Sequence, residues 1–188
     1  MNKVLVPLAE GFEEMEAIIL VDLLRRANII VETASLSSSP VTASRNTVHV
    51  ADRSFEVIDP KEFSMVVLPG GGPGTKQMLA HKPLHDLLMS FHREQKWIGA
   101  ICAAPNVLRQ LGILDGKRFV AFPTSLGLVQ EEKAIHAKGE RLVIDGNIIT
   151  SIGPGSAFEM GLQLISILRG EEVKKQVEDA LYLPKLGT

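Results

Sequence analysis

The 188-residue sequence has one cysteine, Cys102. No intramolecular disulfide can therefore staple the fold, and a reducing compartment is its natural setting. There is no large excess of either charge: the formal net charge is −2 and Lys and Arg are scattered, so no basic stripe exists to neutralise a run of phosphates and nucleic acid is not an expected partner. Long hydrophobic runs are missing as well. Nothing approaches the ~20 apolar residues of a membrane-spanning helix, and Met1-Asn2-Lys3-Val4-Leu5-Val6-Pro7 is too short in its apolar run for a signal peptide. The expectation is a cytoplasmic protein with no membrane partner. Internal repeats, low-complexity tracts and linkers are also missing.

What remains is an ordinary packed composition, 45% hydrophobic and 22% charged, in a chain long enough for one substantial core and short for two. A single domain over residues 1–188 is expected. Val4–Leu8, Ile29–Ala34, Met65–Leu68 and Trp97–Ile101 are short apolar runs of the kind buried on both faces of a parallel sheet. A helical pattern through Met15, Ile18, Ile19, Val21, Leu23 and Leu24 separates the first two, with Arg25 and Arg26 at its end and Asn28 placed to cap it. Ser37-Ser38-Ser39-Pro40 is expected to be a loop, and Val48–Ala51 and Phe55–Val57 short strands or a hairpin. Leu79, Leu84, Leu87, Leu88 and Phe91 mark one helix, and Ala103–Leu111 another. The spacing predicts a strand at Phe119–Phe122, a hairpin over Leu142–Thr150, and closing helices at Ala157–Leu168 and Glu171–Ala180. Strands alternating with helices imply an α/β fold: a mostly parallel sheet between helix layers.

In such a sheet, ligands bind beyond the carboxyl ends of the strands. Three places there merit attention: Gly11–Glu16, Gly70–Gly74 and Cys102-Ala103-Ala104. A thiol on a sharp strand-to-helix turn lies beside free helix N–H groups that favour thiolate. Lowering its pKa by about three units needs roughly 4 kcal/mol, whereas a helix dipole supplies about 2 at best, so further donors are required. A carboxyl qualifies only when protonated, because its ionised form would repel the thiolate. Glu13, Glu14 and Glu16 are the candidates; all three can also be solvated carboxylates of a first helical turn, the reading preferred for Glu13 and Glu14. The glycine run lacks the Lys-Ser/Thr of a phosphate loop, so its N–H groups serve either an oxyanion near Cys102 or a plain turn. The five histidines form no ligand cluster beyond the spacing of His81 and His85, so neither a metal nor another cofactor is expected.

Four motifs, Ala9-Glu10-Gly11-Phe12-Glu13-Glu14-Met15-Glu16, Leu68-Pro69-Gly70-Gly71, Ala100-Ile101-Cys102-Ala103-Ala104-Pro105 and Ser151-Ile152-Gly153-Pro154-Gly155-Ser156, resemble those of the ThiJ/PfpI superfamily, in the branch of the parkinsonism-associated protein deglycase. The resemblance runs from the first strand to the last helix. It implies a flavodoxin-like sandwich, related to class I glutamine amidotransferases, forming a homodimer. It also implies that Cys102 is a nucleophile-elbow cysteine, that Glu16 is its protonated partner, and that the N–H groups of Gly71 and Ala103 form an oxyanion pocket. By the same resemblance Arg45 and Arg26 lie near the dimer interface and the site's mouth, Pro154 lines that region, and Met15 sits in the dimer contact. Phe122, before Pro123, stands where the human-type branch has a histidine. Without it there is no Cys-His dyad, which weakens peptidase or amidase chemistry.

Three readings follow. In the first, Cys102 and Glu16 convert methylglyoxal or glyoxal, or repair early glycation adducts. In the second, Cys102 is an oxidation sensor or the switch of a redox-regulated chaperone, oxidised to sulfinate because no second thiol can resolve a sulfenate. In the third, the thiol is inert and structural.

Overall fold

A computed structural model describes residues 3–37, 39–130 and 133–183. In chain order its strands and helices are β1 (Lys3–Leu8), α1 (Glu14–Arg26), β2 (Ile30–Ser35), β3 (Val41–Thr42), β4 (Val48–His49), β5 (Arg53–Ser54), β6 (Met65–Leu68), α2 (Gly72–Ala80), α3 (Lys82–Arg93), β7 (Trp97–Ile101) and α4 (Pro105–Gln110). They continue with β8 (Arg118–Phe119), β9 (Ile135–His136), β10 (Leu142–Asp145), β11 (Ile148–Ser151), α5 (Ala157–Arg169) and α6 (Glu171–Ala180). The main sheet has seven strands in the order β10-β11-β7-β6-β1-β2-β5. All its pairings are parallel except the β10–β11 hairpin.

The apolar strand runs are explained by two cores, one on each face. Val4, Val6 and Leu8 of β1 and Met65 and Val67 of β6 pack with α1 and α5. Leu5, Val66 and Leu68, pointing the other way, pack with Leu84, Leu87, Leu88 and Phe91 of α3 and Val107 and Leu108 of α4. Because successive strand side chains alternate faces, only unbroken apolar runs can satisfy both layers. Asn28, at φ 55°, follows the last turn of α1 in the left-handed conformation expected of it.

Several boundaries differ from expectation. Phe55–Val57 is a single 3-10 turn, with Ser54 accepting from the Glu56 N–H, and the neighbouring strand is β5 instead. The helix expected from Leu79 to Phe91 is two helices. His81 divides them by accepting the Leu84 N–H at 3.1 Å, with Pro83 in the first turn of α3. The strand expected at Phe119–Phe122 stops at Phe119, because the Val120 N–H turns to Thr150 Oγ1 and the Phe122 N–H to the Cys102 carbonyl. Of the loop at Ser37–Pro40, Ser38 lies outside the described residues. Among the described residues no helix is long and apolar enough to cross a membrane.

Candidate active site

β7, β6 and β1 are adjacent and parallel, so the chain segments leaving their carboxyl ends meet. That adjacency brings together Glu16 on α1, the Gly70-Gly71 turn after β6, and Cys102 after β7. Glu13 caps α1 by accepting the Glu16 N–H at 2.8 Å, which fixes the first turn with Glu16 pointing inward, fully buried. Cys102 has φ 63°, a left-handed backbone that a side chain adopts at a cost. Its N–H bonds the Ser151 carbonyl at 2.9 Å, and its carbonyl accepts the Phe122 N–H at 2.8 Å. The elbow is thus clamped on both sides.

Gly70 lies between the two reactive side chains. Its N–H donates to Glu16 Oε2 at 2.7 Å, and a Cβ on it would fall 2.7 Å from Cys102 Cβ and 2.8 Å from Glu16 Oε2. The close approach of thiol and carboxyl therefore requires glycine there. Gly71 follows at φ 92°, and its backbone N–H and that of Ala103 favour the anion of the Cys102 sulfur. Glu16 Oε1 is buried without a hydrogen-bond partner, and the carboxyl and the Cys102 side chain face each other across Gly70.

Burial pushes the Glu16 carboxyl up to about 7, against the Gly70 N–H and the thiol, which favour the anion, while Glu13 adds repulsion. Burial also pushes the Cys102 thiol up to about 12, assisted by the charge of Glu16 and its hydrogen bond and opposed by the Gly71 and Ala103 donors. The expectation of a thiolate favoured by helix N–H groups is thus reversed while Glu16 is ionised. α4 begins only at Pro105 and has six residues, so its dipole is small and set back from the sulfur. When Glu16 holds its proton the repulsion disappears, and the two backbone groups act on the sulfur against burial alone. The pair therefore titrates as a unit.

Cys102 is partly exposed at the floor of a cleft of about 350 Å³. Gly71, Ala103, Arg45, Phe122 and Pro154 all line it. Met15 and Arg26 do not. Met15 points to solvent from α1, and Arg26, at the opposite end of that helix from Glu16, pairs with Asp22 at 2.6 Å and lines a separate cleft with Arg169. No histidine lines the Cys102 cleft.

Other residues take roles the sequence did not reveal. Glu13 lines the cleft mouth as well as capping α1. Glu14 is no solvated first-turn carboxylate. It is buried and accepts from Ser44 Oγ, the Arg45 N–H and Thr47 Oγ1 at 2.9, 2.9 and 3.2 Å, holding the turn that presents Arg45. Asn106 and Arg109 are buried polar residues one turn beyond the elbow. Their spacing of three places both on one face of α4, a signal that was available in the sequence.

Residues 2–167 match the DJ-1/PfpI family. The chain belongs to that family. Among DJ-1/PfpI relatives it is 39% identical over 180 residues to protein dj-1beta of Drosophila melanogaster, covering 95% of this chain and 96% of that one. It is 31% identical over 176 residues to the glutathione-independent glyoxalase DJR-1.2 of Caenorhabditis elegans, covering 94% and 93% respectively. Against the longer protein DJ-1 homolog B of Arabidopsis thaliana, at 36% identity, it spans 40% of that protein's length. The crystal structure of Drosophila melanogaster DJ-1beta superposes with a TM-score of 0.92 at 38% identity, covering 97% of this chain and 98% of that one. The flavodoxin-like sandwich of the DJ-1/PfpI family is therefore the fold of this chain.

Proposed function

We propose that this protein converts small reactive dicarbonyls such as methylglyoxal to the corresponding 2-hydroxy acids, and that early glycation adducts are a variant of the same substrate chemistry. The observation that carries the reading is the buried Glu16, pushed up to about 7 and in contact with a thiol that opens onto a cleft. A carboxyl with that pKa both accepts and returns protons near neutral pH. In the first step the Glu16 carboxylate takes the thiol proton as Cys102 sulfur attacks the aldehyde carbon. The alkoxide that forms accepts the Gly71 and Ala103 N–H groups and is then protonated to a hemithioacetal. Glu16 next moves the proton from the former aldehyde carbon to the neighbouring carbonyl carbon through an enediol, leaving a thioester of the 2-hydroxy acid on Cys102. Water hydrolyses it. The sum is methylglyoxal plus water giving lactate, without external oxidant or cofactor. The relative named a glutathione-independent glyoxalase supports this choice of substrate.

Methylglyoxal consumption with lactate quantified, in the parent, Cys102→Ser and Glu16→Gln, is the test. Loss of lactate in both variants is expected, and no lactate from the parent overturns the reading.

A second reading rests on the lone thiol: two equivalents of peroxide oxidise Cys102 through sulfenate to sulfinate, releasing two waters, with the Glu16 proton and two backbone N–H groups available to the new oxygens. Intact mass after mild peroxide treatment checks it; failure to gain two oxygens at Cys102 counts against it. Either chemistry suits a reducing, cytoplasmic setting. A homodimer is proposed through α1, where Met15 and Ile18 are large apolar side chains left exposed.

A further inference from the structure

One wall of the Cys102 cleft is the segment 122–128, which supplies Phe122, Thr124, Ser125 and Leu128 to the lining. Within it Pro123–Leu128 forms 3-10 turns with no side-chain cap, and the Ser125 N–H makes a backbone bond to the Phe122 carbonyl at 2.9 Å. Such short 3-10 stretches have poor intrinsic hydrogen-bond geometry and depend on outside contacts.

Those contacts come from α4. Asn106 Nδ2 donates to the Ser125 carbonyl and to Ser125 Oγ, both at 3.1 Å, and to the Ala103 carbonyl at 2.9 Å. Arg109 Nη1 donates to the Leu126 carbonyl at 2.9 Å and to Asn106 Oδ1 at 2.7 Å, which orients the amide with its nitrogen toward the carbonyls. The Ser125 Oγ hydroxyl donates to the Phe122 carbonyl at 2.7 Å. A continuous buried chain therefore runs from Ala103, beside the thiol, through Asn106 and Arg109, to the wall above it. Partly satisfied alternatives would be costly in this interior, so the wall is held in one position.

We propose that Asn106 and Arg109 are positioning residues that pin the wall 122–128 against the elbow, so that small molecules reach Cys102 readily and groups carried on a polypeptide do so only when the wall releases. Applied to aldehydes this rests on the function proposed above, but the gating itself does not require turnover.

Because the chain has one cysteine, alkylation reads access to Cys102 directly. The experiment compares second-order rates for iodoacetamide and for fluorescein maleimide in the parent, Asn106→Asp and Ser125→Ala. Asn106→Asp keeps the size and the Arg109 contact but replaces the donor facing Ala103 and Ser125 with an acceptor. The ratio of the maleimide rate to the iodoacetamide rate is expected to rise about tenfold in that variant, the factor that one lost buried hydrogen bond carries, because the added carboxylate acts on the thiol equally for both reagents. Ser125→Ala, which removes a single hydroxyl and keeps the fold testable should the first variant misfold, is expected to raise the same ratio about threefold. A purely structural role would lower the melting temperature and leave the ratio of the two rates unchanged. An unchanged ratio in Ser125→Ala, or both rates rising in parallel, overturns the proposal.

Discussion

Replacing Glu16 with Gln should stabilise the fold at alkaline pH and leave it nearly unchanged in mild acid. The carboxyl is fully buried and is pushed from its ordinary 4.5 to about 7. Through that window the folded chain keeps a proton that the unfolded chain has released, so stability falls as pH rises from about 4.5 to about 7 and stays low above it. The shift corresponds to about 3 kcal/mol at pH 8. Gln keeps an acceptor for the Gly70 N–H and carries no charge, so the penalty vanishes. Urea denaturation at about pH 4.5 and at pH 8 measures it. With an m-value of about 2 kcal/mol/M, the variant's midpoint should exceed the parent's by about 1.5 M at pH 8 and by only a few tenths of that at the lower pH. The same substitution removes the charge that helps hold Cys102 up, so alkylation by iodoacetamide at pH 8 should accelerate at least tenfold even as lactate production is lost. A stability difference that does not vary with pH would refute the view that Glu16 is a desolvated carboxyl, and an unchanged alkylation rate would refute its repulsion of the thiolate.

Gly70→Ala forces a Cβ between Cys102 and Glu16, so it should cost about 1–3 kcal/mol in chemical denaturation and abolish aldehyde turnover. Glu14→Ala strips three acceptor contacts from the turn at Ser44–Thr47; a loss of about 2 kcal/mol is expected, read as a melting temperature lower by about 4–8 °C. Phe122→His places an imidazole in a cleft lined by no histidine, and the pH profile of Cys102 alkylation should acquire a new limb near about 6.5. Ile18→Glu charges the exposed face of α1; if that face joins two copies, sedimentation should move from dimer to monomer at micromolar concentration.

The strands that build the sheet were legible because burial on both faces leaves an unmistakable record: Val4, Leu5 and Val6 have to be apolar when alternate residues enter different cores. The short edge pieces were not. Val120 and Phe122 read as strand residues, yet their N–H groups go to Thr150 and to the elbow carbonyl, contacts set by partners about 20–30 positions away that no local pattern encodes. The site divides along similar lines. Gly71, Cys102 and Ala103 follow the carboxyl ends of strands, so the strand pattern and the motifs point to one end of the sheet, whereas ten residues of helix carry Arg26 about 15 Å from Glu16 and away from that cleft. Electrostatics was the least legible property. Sequence spacing suggested that a helix beginning just after Cys102 would draw the thiol down, but the structure begins that helix two residues later, at Pro105, half-buries Cys102 and sets a carboxyl against it. The reactive thiol is then the one whose neighbour has just accepted a proton. It follows that activity should depend on the protonation of the Cys102–Glu16 pair as a unit, and that substitutions moving Glu16 alone should shift the thiol with it.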